Sequence, residues 1–354
     1  MRVRKSDYLG GLPRITPTEW RFMNAVTRAW SLREVSRISG LSVSTVHRVL
    51  KRFYAKGRIY FMVDYKRLNL LPLCAIFPRL DVNEMPPFTV AVRTLYNFGE
   101  YTLVTALVPP PFVDKYLASF DKEPIVVVRG YERLSWRPDG GLTKYSPEKE
   151  LLEPVFDFEG ARKRFMYPVE KWEGSLKAPD IYDLVLLQGR LKNAFARPVK
   201  IYREARKRTP ELPPASEQVL SYHFNRHLKP IWKGNSAVVY ADMKQIPMKI
   251  FYFEGRDAAV FARILCQLPG FYSAIIEGRK AMLSGQPPSS YEEAIMREAG
   301  SFDVEMPLGY FVQSSSDISK VVPYFWRFVE RGRWVFREEE KVEIIRAQTH
   351  SRQI

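Results

Sequence analysis

A chain of 354 residues, 46% hydrophobic and 14% aromatic, carries enough apolar side chain for more than one core and is not an intrinsically disordered polymer. Its 55 Lys and Arg outweigh 39 Asp and Glu, a formal charge of +16 that favours a polyanionic partner through the long-range field and counterion release. Cys74 and Cys266 lack CxxC or Cys/His spacing, and no run approaches about 20 uninterrupted apolar residues. Disulfide scaffolds, structural zinc and membrane spans are therefore not expected, and a reducing cytoplasm is.

In chain order, residues 1–14 read as a mobile basic arm with Arg2, Arg4, Lys5 and Arg14, and no apolar run of signal-peptide length follows it. From 15 to 70 the pattern is helical and then strand-like. Thr18 is a candidate cap for a helix carrying Phe22, Val26, Ala29 and Trp30. Ser31 with Glu34 reads as a capping box opening a second helix with Val35 and Ile38 inward. Ser39-Gly40-Leu41 allows only a tight turn, after which Ser42 caps a helix whose Val46, Val49, Leu50 and Phe53 share one apolar face. Its remaining surface carries Ser44, Thr45, His47, Arg48, Lys51 and Arg52, groups that donate to phosphates and base edges. Gly57 can end the helix, and Arg58 to Tyr65 reads as a strand, the place of a wing.

Helix, glycine turn, helix with a basic outer face is the helix-turn-helix arrangement. Gly40-Leu41-Ser42, Ser44-Thr45-Val46-His47-Arg48, Gly57-Arg58-Ile59 and Asp64-Tyr65-Lys66-Arg67-Leu68 resemble the DNA-binding half of the leucine-responsive/AsnC (feast/famine) transcription regulators, of archaeal type. The resemblance implies a winged helix over 15–70 that binds double-stranded DNA. In that reading Ser44, Thr45, His47 and Arg48 reach base edges in the major groove, Lys51, Arg52, Lys56 and Arg58 hold phosphates, and Ser42 at the helix start completes the DNA-binding set.

From Leu71 the period changes. Leu73–Phe77 reads as a strand, Pro87–Phe98 as a helix, Gly99–Val108 as a strand, Phe112–Phe120 as a helix, and Ile125 towards Trp136 as a further strand. That order over 71–137 is most of a ferredoxin-like α/β plait, and it is similar to the regulatory domain that follows the winged helix in the same family. Gly99 and Tyr101 match that family's effector segment, whereas Thr102 stands where the family has Asp. Residues 138–177 are Pro/Gly- and charge-rich, a crossover.

The second half repeats the first: Asp64 falls on Asp242 and Lys66 on Lys244, an offset of 178, and further along Gly270 and Tyr272 match Gly99 and Tyr101, so the four form the candidate effector pocket. The expected fold is therefore α+β, a winged helix-turn-helix followed by a ferredoxin-like plait, with the pair repeated: a diverged winged helix over 178–247 and a second plait with a C-terminal extension over 248–354. One chain then makes a pseudo-dimer, which can itself pair into a homodimer. In the diverged copy a Pro-rich turn, Pro210 to Pro214, replaces Gly-Leu-Ser. Arg203, Arg206, Lys207, Arg208, Arg226 and Lys229 form a secondary basic patch, suited to phosphates or to a solvated face. Trp326 to Arg346 mixes aromatics and arginines, which can stack on unpaired bases or pack a terminal segment onto a sheet.

Enzymatic motifs are missing: no P-loop, no GxGxxG after a strand, no GxSxG. His223 and His227, four apart on a helix, lack the HExxH carboxylate. They read as outward helix residues, with a weak metal site as the alternative. The expected function is a DNA-binding transcription regulator, not an enzyme, nucleoid-associated in the cytoplasm, with no cofactor and no metal. A nucleic-acid-binding architectural protein and an adaptor docking on transcription, replication or translation machinery are the other readings.

Overall fold

The computed structural model describes residues 8–81, 83–321 and 324–346. Residues 1–7 of the expected arm lie outside them. Tyr8–Leu9 and Leu12–Pro13 pair as a small hairpin, and Arg14 meets Glu150 at 2.8 Å, so 8–14 is tied down.

Three helices follow: α1 (Pro17–Val26), α2 (Leu32–Ser39) and α3 (Val43–Phe53). The cap of α1 is Thr16, not Thr18. Pro17 supplies the preset first helical residue, the Thr16 hydroxyl accepts from Glu19 N, and the Glu19 carboxylate accepts from Thr16 N at 2.9 Å. Ser31 caps α2 and Ser42 caps α3 as expected, and Gly40 between them sits at φ 66°, the left-handed conformation that glycine adopts without strain. Phe22, Met23, Val26, Val35, Val46, Val49 and Phe53 are buried together.

Strand β1 (Gly57–Val63) occupies the expected wing, but it does not stand free. It pairs antiparallel with a strand from the second half of the chain, from Gly57↔Val239 to Val63↔Trp232. Its alternate residues Gly57, Ile59, Phe61 and Val63 are buried. The alternation that looked like a wing is the inner face of a ribbon between the two halves of the chain.

Next come β2 (Leu71–Pro78), β3 (Thr89–Tyr96), β4 (Glu100–Val108), α4 (Val113–Leu117), β5 (Val126–Arg129) and β6 (Glu132–Ser135). The helix expected over Pro87–Phe98 is strand β3. Val92 and Leu95 fit helical spacing, but the β-branched run Thr89-Val90, Val92 and Thr94 favours a strand, and hydrogen-bonding partners on both edges, β4 and a later strand, decide it. The expected crossover is also structured: Thr143–Ser146 pairs with Leu151–Pro154, and Phe158–Phe165 is a helix.

The second half contains α5 (Ile181–Lys192), α6 (Pro198–Arg208), α7 (Glu217–His223) continued by a π-helical turn Phe224–Leu228, β7 (Trp232–Val239), β8 (Lys249–Glu254), α8 (Ala258–Leu265), β9 (Phe271–Ile276), β10 (Lys280–Gly285), α9 (Ser289–Ala299) and β11 (Tyr310–Val321). The structure is thus mixed α/β around one large antiparallel sheet, whose main path among the described residues runs β5-β2-β4-β3-β11-β8-β10-β9-β6. The sheet curls so that Ile76, Leu103 and Val128 from one half pack with Ile250, Tyr252, Met282 and Phe311 from the other. Arg129 N donates to Glu277 at 2.9 Å across that closure.

Two buried polar side chains join the helical layer to the second half. Asn235 on β7 donates to Val26 O (2.9 Å) and Ala29 O (2.8 Å) at the end of α1. Arg190 on α5 lies over the rings of Trp30, Phe61 and Phe224 at 4.2, 4.8 and 5.0 Å and donates to Trp30 O, while its Nε has no hydrogen-bond partner. Burial lowers this guanidinium to about 9, with Glu34 pulling the other way. The aromatic tail packs inward: Phe325, Trp326, Phe328 and Trp334 are buried, with Phe88 4.8 Å from Phe328 between ring centroids.

Candidate ligand-binding cavity

The expected base-reading face is divided. Ser44, His47, Arg48 and Lys51 on α3 lie on its outer side, and the Ser42 hydroxyl bonds those of Ser44 at 3.0 Å and Thr45 at 2.9 Å. One cation turns inward and another leans in from the rim. Lys56 is buried and its ammonium lies 3.1 Å from Glu19, a carboxylate with no exposed side-chain surface; Arg52 Nε reaches the same carboxylate at 3.0 Å. Arg58 donates to Tyr54 O and Gly57 O. The charges read as phosphate ligands therefore partly neutralise a buried acid of the chain itself, which sequence spacing could not show because Glu19 lies on another helix.

In the second half Arg203, Arg206, Lys207 and Arg208 line the solvent side of α6, and Arg226 and Lys229 are exposed on the segment after α7. The four candidate effector residues do not share a pocket. Gly99 sits in an exposed turn and Tyr101 packs edge-on against Phe311 at 5.2 Å. Gly270 and Tyr272 border a small cleft with Leu12, Leu152 and Gln286, and the Tyr272 hydroxyl donates to Gln286 at 2.8 Å.

A larger cavity, about 160 Å³, lies between the sheet and helices α8 and α9. Phe251 and Phe253 on β8, Phe261 and Leu265 on α8, Phe271 on β9, and Ile295, Met296 and Ala299 on α9 form its apolar walls. Strand alternation aims Phe251 and Phe253 to one face, their rings nearly parallel, while Phe261 closes on Phe253 at 5.3 Å. An engineered apolar cavity of about 150 Å³ in another protein stays dry and takes up benzene, so this volume matches one aromatic ring. The charged side chains lining it are acidic, Glu292 and Glu305. Glu292 is paired with the buried Lys249, whose ammonium also lies 4.4 Å from the Tyr310 ring centroid. The sequence signal for this site was the recurrence of Phe at 251, 253, 261 and 271, which core packing explains equally well.

One side-chain cluster was half visible. His223 and His227 converge on Asp183 of α5, with Nδ1 of each 2.9–3.1 Å from its carboxylate.

No family model and no curated protein matches the chain. A solved structure that does match is the crystal structure of the siroheme decarboxylase NirDL, at 12% identity and a TM-score of 0.37, over 83% of this chain and 90% of that one. These findings correct three expectations. Membership of the leucine-responsive/AsnC regulators finds no family or curated match. A DNA-binding transcription regulator, with its architectural and adaptor alternatives, is supported by none of the comparisons. The expectation of a non-enzyme is withdrawn as well, since none of the comparisons supports it. Among the described residues, no helix is long and apolar enough to cross a membrane.

Proposed function

We propose that the chain is a small-molecule-binding protein whose second half holds an aromatic amine between α9 and the sheet. The observation that carries this reading is the ring-sized apolar cavity with carboxylates as its charged lining. An aromatic ring gains roughly 25 cal/mol for each Å² of apolar surface it hides there. An ammonium beside Glu292 and the surrounding π-faces gains charge-assisted hydrogen bonds and cation–π attraction. A carboxylate in the same place meets the charges of Glu292 and Glu305, while the nearby Lys249 ammonium is already engaged by Glu292.

The fold reading that goes with it is an internal duplication. In the second half the order β8-α8-β9-β10-α9-β11, with sheet order β11-β8-β10-β9, is that of a ferredoxin-like plait. The first half shows the corresponding sheet order β5-β2-β4-β3, with no helix between β2 and β3 among the described residues. The offset of 178 carries the start of β2 at Leu71 onto the start of β8 at Lys249. A cavity walled by two helices therefore belongs to the second plait alone, which makes that half the ligand-binding one.

The test is calorimetric titration of the full chain with phenethylamine, 2-phenylethanol and 3-phenylpropionate, which share a ring and differ in charge. The amine is expected to bind tightest, Ala299→Phe to abolish binding by filling the cavity, and Glu292→Gln to erase the preference for the amine over the alcohol. Equal affinities for all three, or binding unchanged in Ala299→Phe, would refute the reading.

A further inference from the structure

The Asp183, His223 and His227 cluster lies in the helical layer, in a part of the chain with no role in the cavity. His223 is the last residue of α7, and His227 falls within the π-helical turn Phe224–Leu228. Such turns are rare and occur mostly as single-turn insertions at functional positions. Here the turn keeps both imidazoles on the face that meets α5, their ring centroids 4.8 Å apart. Asp183 stands in the first turn of α5, a helix capped by Asp180, and its carboxylate reaches both rings. The rings of Tyr182 and Tyr222 flank the histidines at 5.1–5.6 Å.

We propose that Asp183, His223 and His227 bind a divalent transition-metal ion of the zinc, cobalt or nickel type. The side chains already bring three metal-donor atoms to one place. Metal–nitrogen and metal–oxygen distances of about 2.0–2.2 Å place neighbouring donors roughly 3.0–3.5 Å apart in octahedral or tetrahedral coordination. The Asp183 oxygens stand 2.9 and 3.0 Å from the nearest Nδ1 of His223 and His227, and all three donor atoms lie within 4.8 Å of one another. Two imidazoles and one carboxylate are a donor set that suits zinc, nickel, cobalt or ferrous iron better than magnesium or calcium. Two of the ligands are mostly shielded, with 12% and 13% of their side-chain surface exposed, while His227 keeps 40%. The ion would thus be held from within and open on the His227 side, where further coordination positions face solvent. Three protein ligands with open positions are the pattern of reactive rather than purely structural metal centres.

The competing arrangement is a plain hydrogen-bonded clamp in which two imidazole N–H groups donate to one carboxylate. The two are separated by titrating the full-length chain, prepared without a polyhistidine tag and stripped with chelator, with Co²⁺ followed by its visible absorption and with Zn²⁺ followed calorimetrically. The expected result is saturation at one ion per chain, with at least about tenfold weaker binding in His227→Ala and in Asp183→Asn and no change in His47→Ala. His227→Ala removes a partly exposed side chain, so its fold survives and its result stands whatever Asp183→Asn does to stability. Saturable binding that His227→Ala leaves untouched, or no saturable binding at one ion per chain, overturns the proposal.

Discussion

The inward turn of Lys56 makes a quantitative expectation. Glu19 has no exposed side-chain surface and Lys56 keeps 6% of its own, with 3.1 Å between them; Arg52, 44% exposed, contributes from the rim at 3.0 Å. At an effective dielectric near 20 the Glu19–Lys56 attraction is about 5 kcal/mol, most of it offset by the desolvation of the two charges. Removing one partner leaves the other charged, buried and uncompensated, a loss of about 3–5 kcal/mol. Arg52 adds little to this because solvent screens it. Glu19→Gln should therefore speed hydrogen exchange in α1 and α3 by between about 100-fold and about 4,000-fold, at about 1.4 kcal/mol per decade. Glu19→Leu combined with Lys56→Met removes both charges and keeps the volume, and should return exchange to within about tenfold of the parent chain. The assay is exchange read by mass spectrometry on peptides from residues 17–53. A single substitution that changes exchange by less than tenfold, or a double variant as labile as either single one, refutes the account of a buried, mutually dependent pair.

Arg190 offers a test with a defined pH sign. Its folded value near 9 lies below the ordinary 12.5, so between those two values the unfolded chain binds more protons than the folded one and the native protein gains stability as pH rises. Below pH 9 the cost of the buried cation is fully present. Arg190→Met, which keeps most of the length of the side chain without the charge, should match or exceed the parent in thermal stability at pH 8, and the difference should shift in the parent's favour at pH 10; a marked loss at pH 8 that persists unchanged at pH 10 would argue against it. The thiols give a simpler check. Burial pushes Cys74 up to about 11 and Cys266 up to about 12, so at pH 8.5 both remain protonated and resist a disulfide reagent in the native chain, and both react once denaturant is added. Rapid modification of either in native conditions would contradict the buried placement.

The elements legible in the sequence were those whose signals are local. Ser31, Ser42 and Gly40 mark two helix starts and the turn between them, and Arg58 to Tyr65 declares its strand through aromatic and β-branched residues. What stayed hidden depends on a partner far along the chain. Val90 and Val92 are two apart, as on a strand, and Val92 and Leu95 three apart, as on a helix, so only the neighbours β4 and β11 choose between the two. Lys56 and Arg52 look outward in the sequence pattern until Glu19, two helices upstream on α1, claims them. Asp183 opens α5, a helix separated from His223 by the whole of α6, with nothing local to join it to the imidazoles. The cavity was illegible for a different reason: a phenylalanine that lines a void and one that fills a core look the same in sequence.

The ribbon of β1 and β7 also sets a schedule for synthesis. Gly57 pairs with Val239, so about half of the chain must be made after the first before its partner exists. At about 5–20 residues per second, β1 emerges from the ribosome roughly 10–35 s ahead of β7. During that interval its Ile59-Tyr60-Phe61-Met62-Val63 run presents an unpaired, hydrophobic edge, the kind of segment that associates with copies of itself. A nascent chain of this protein is thus exposed to misassembly in its first half until the second half arrives, and slowing translation between residues 63 and 232 should lower the yield of soluble product while leaving the finished fold unchanged.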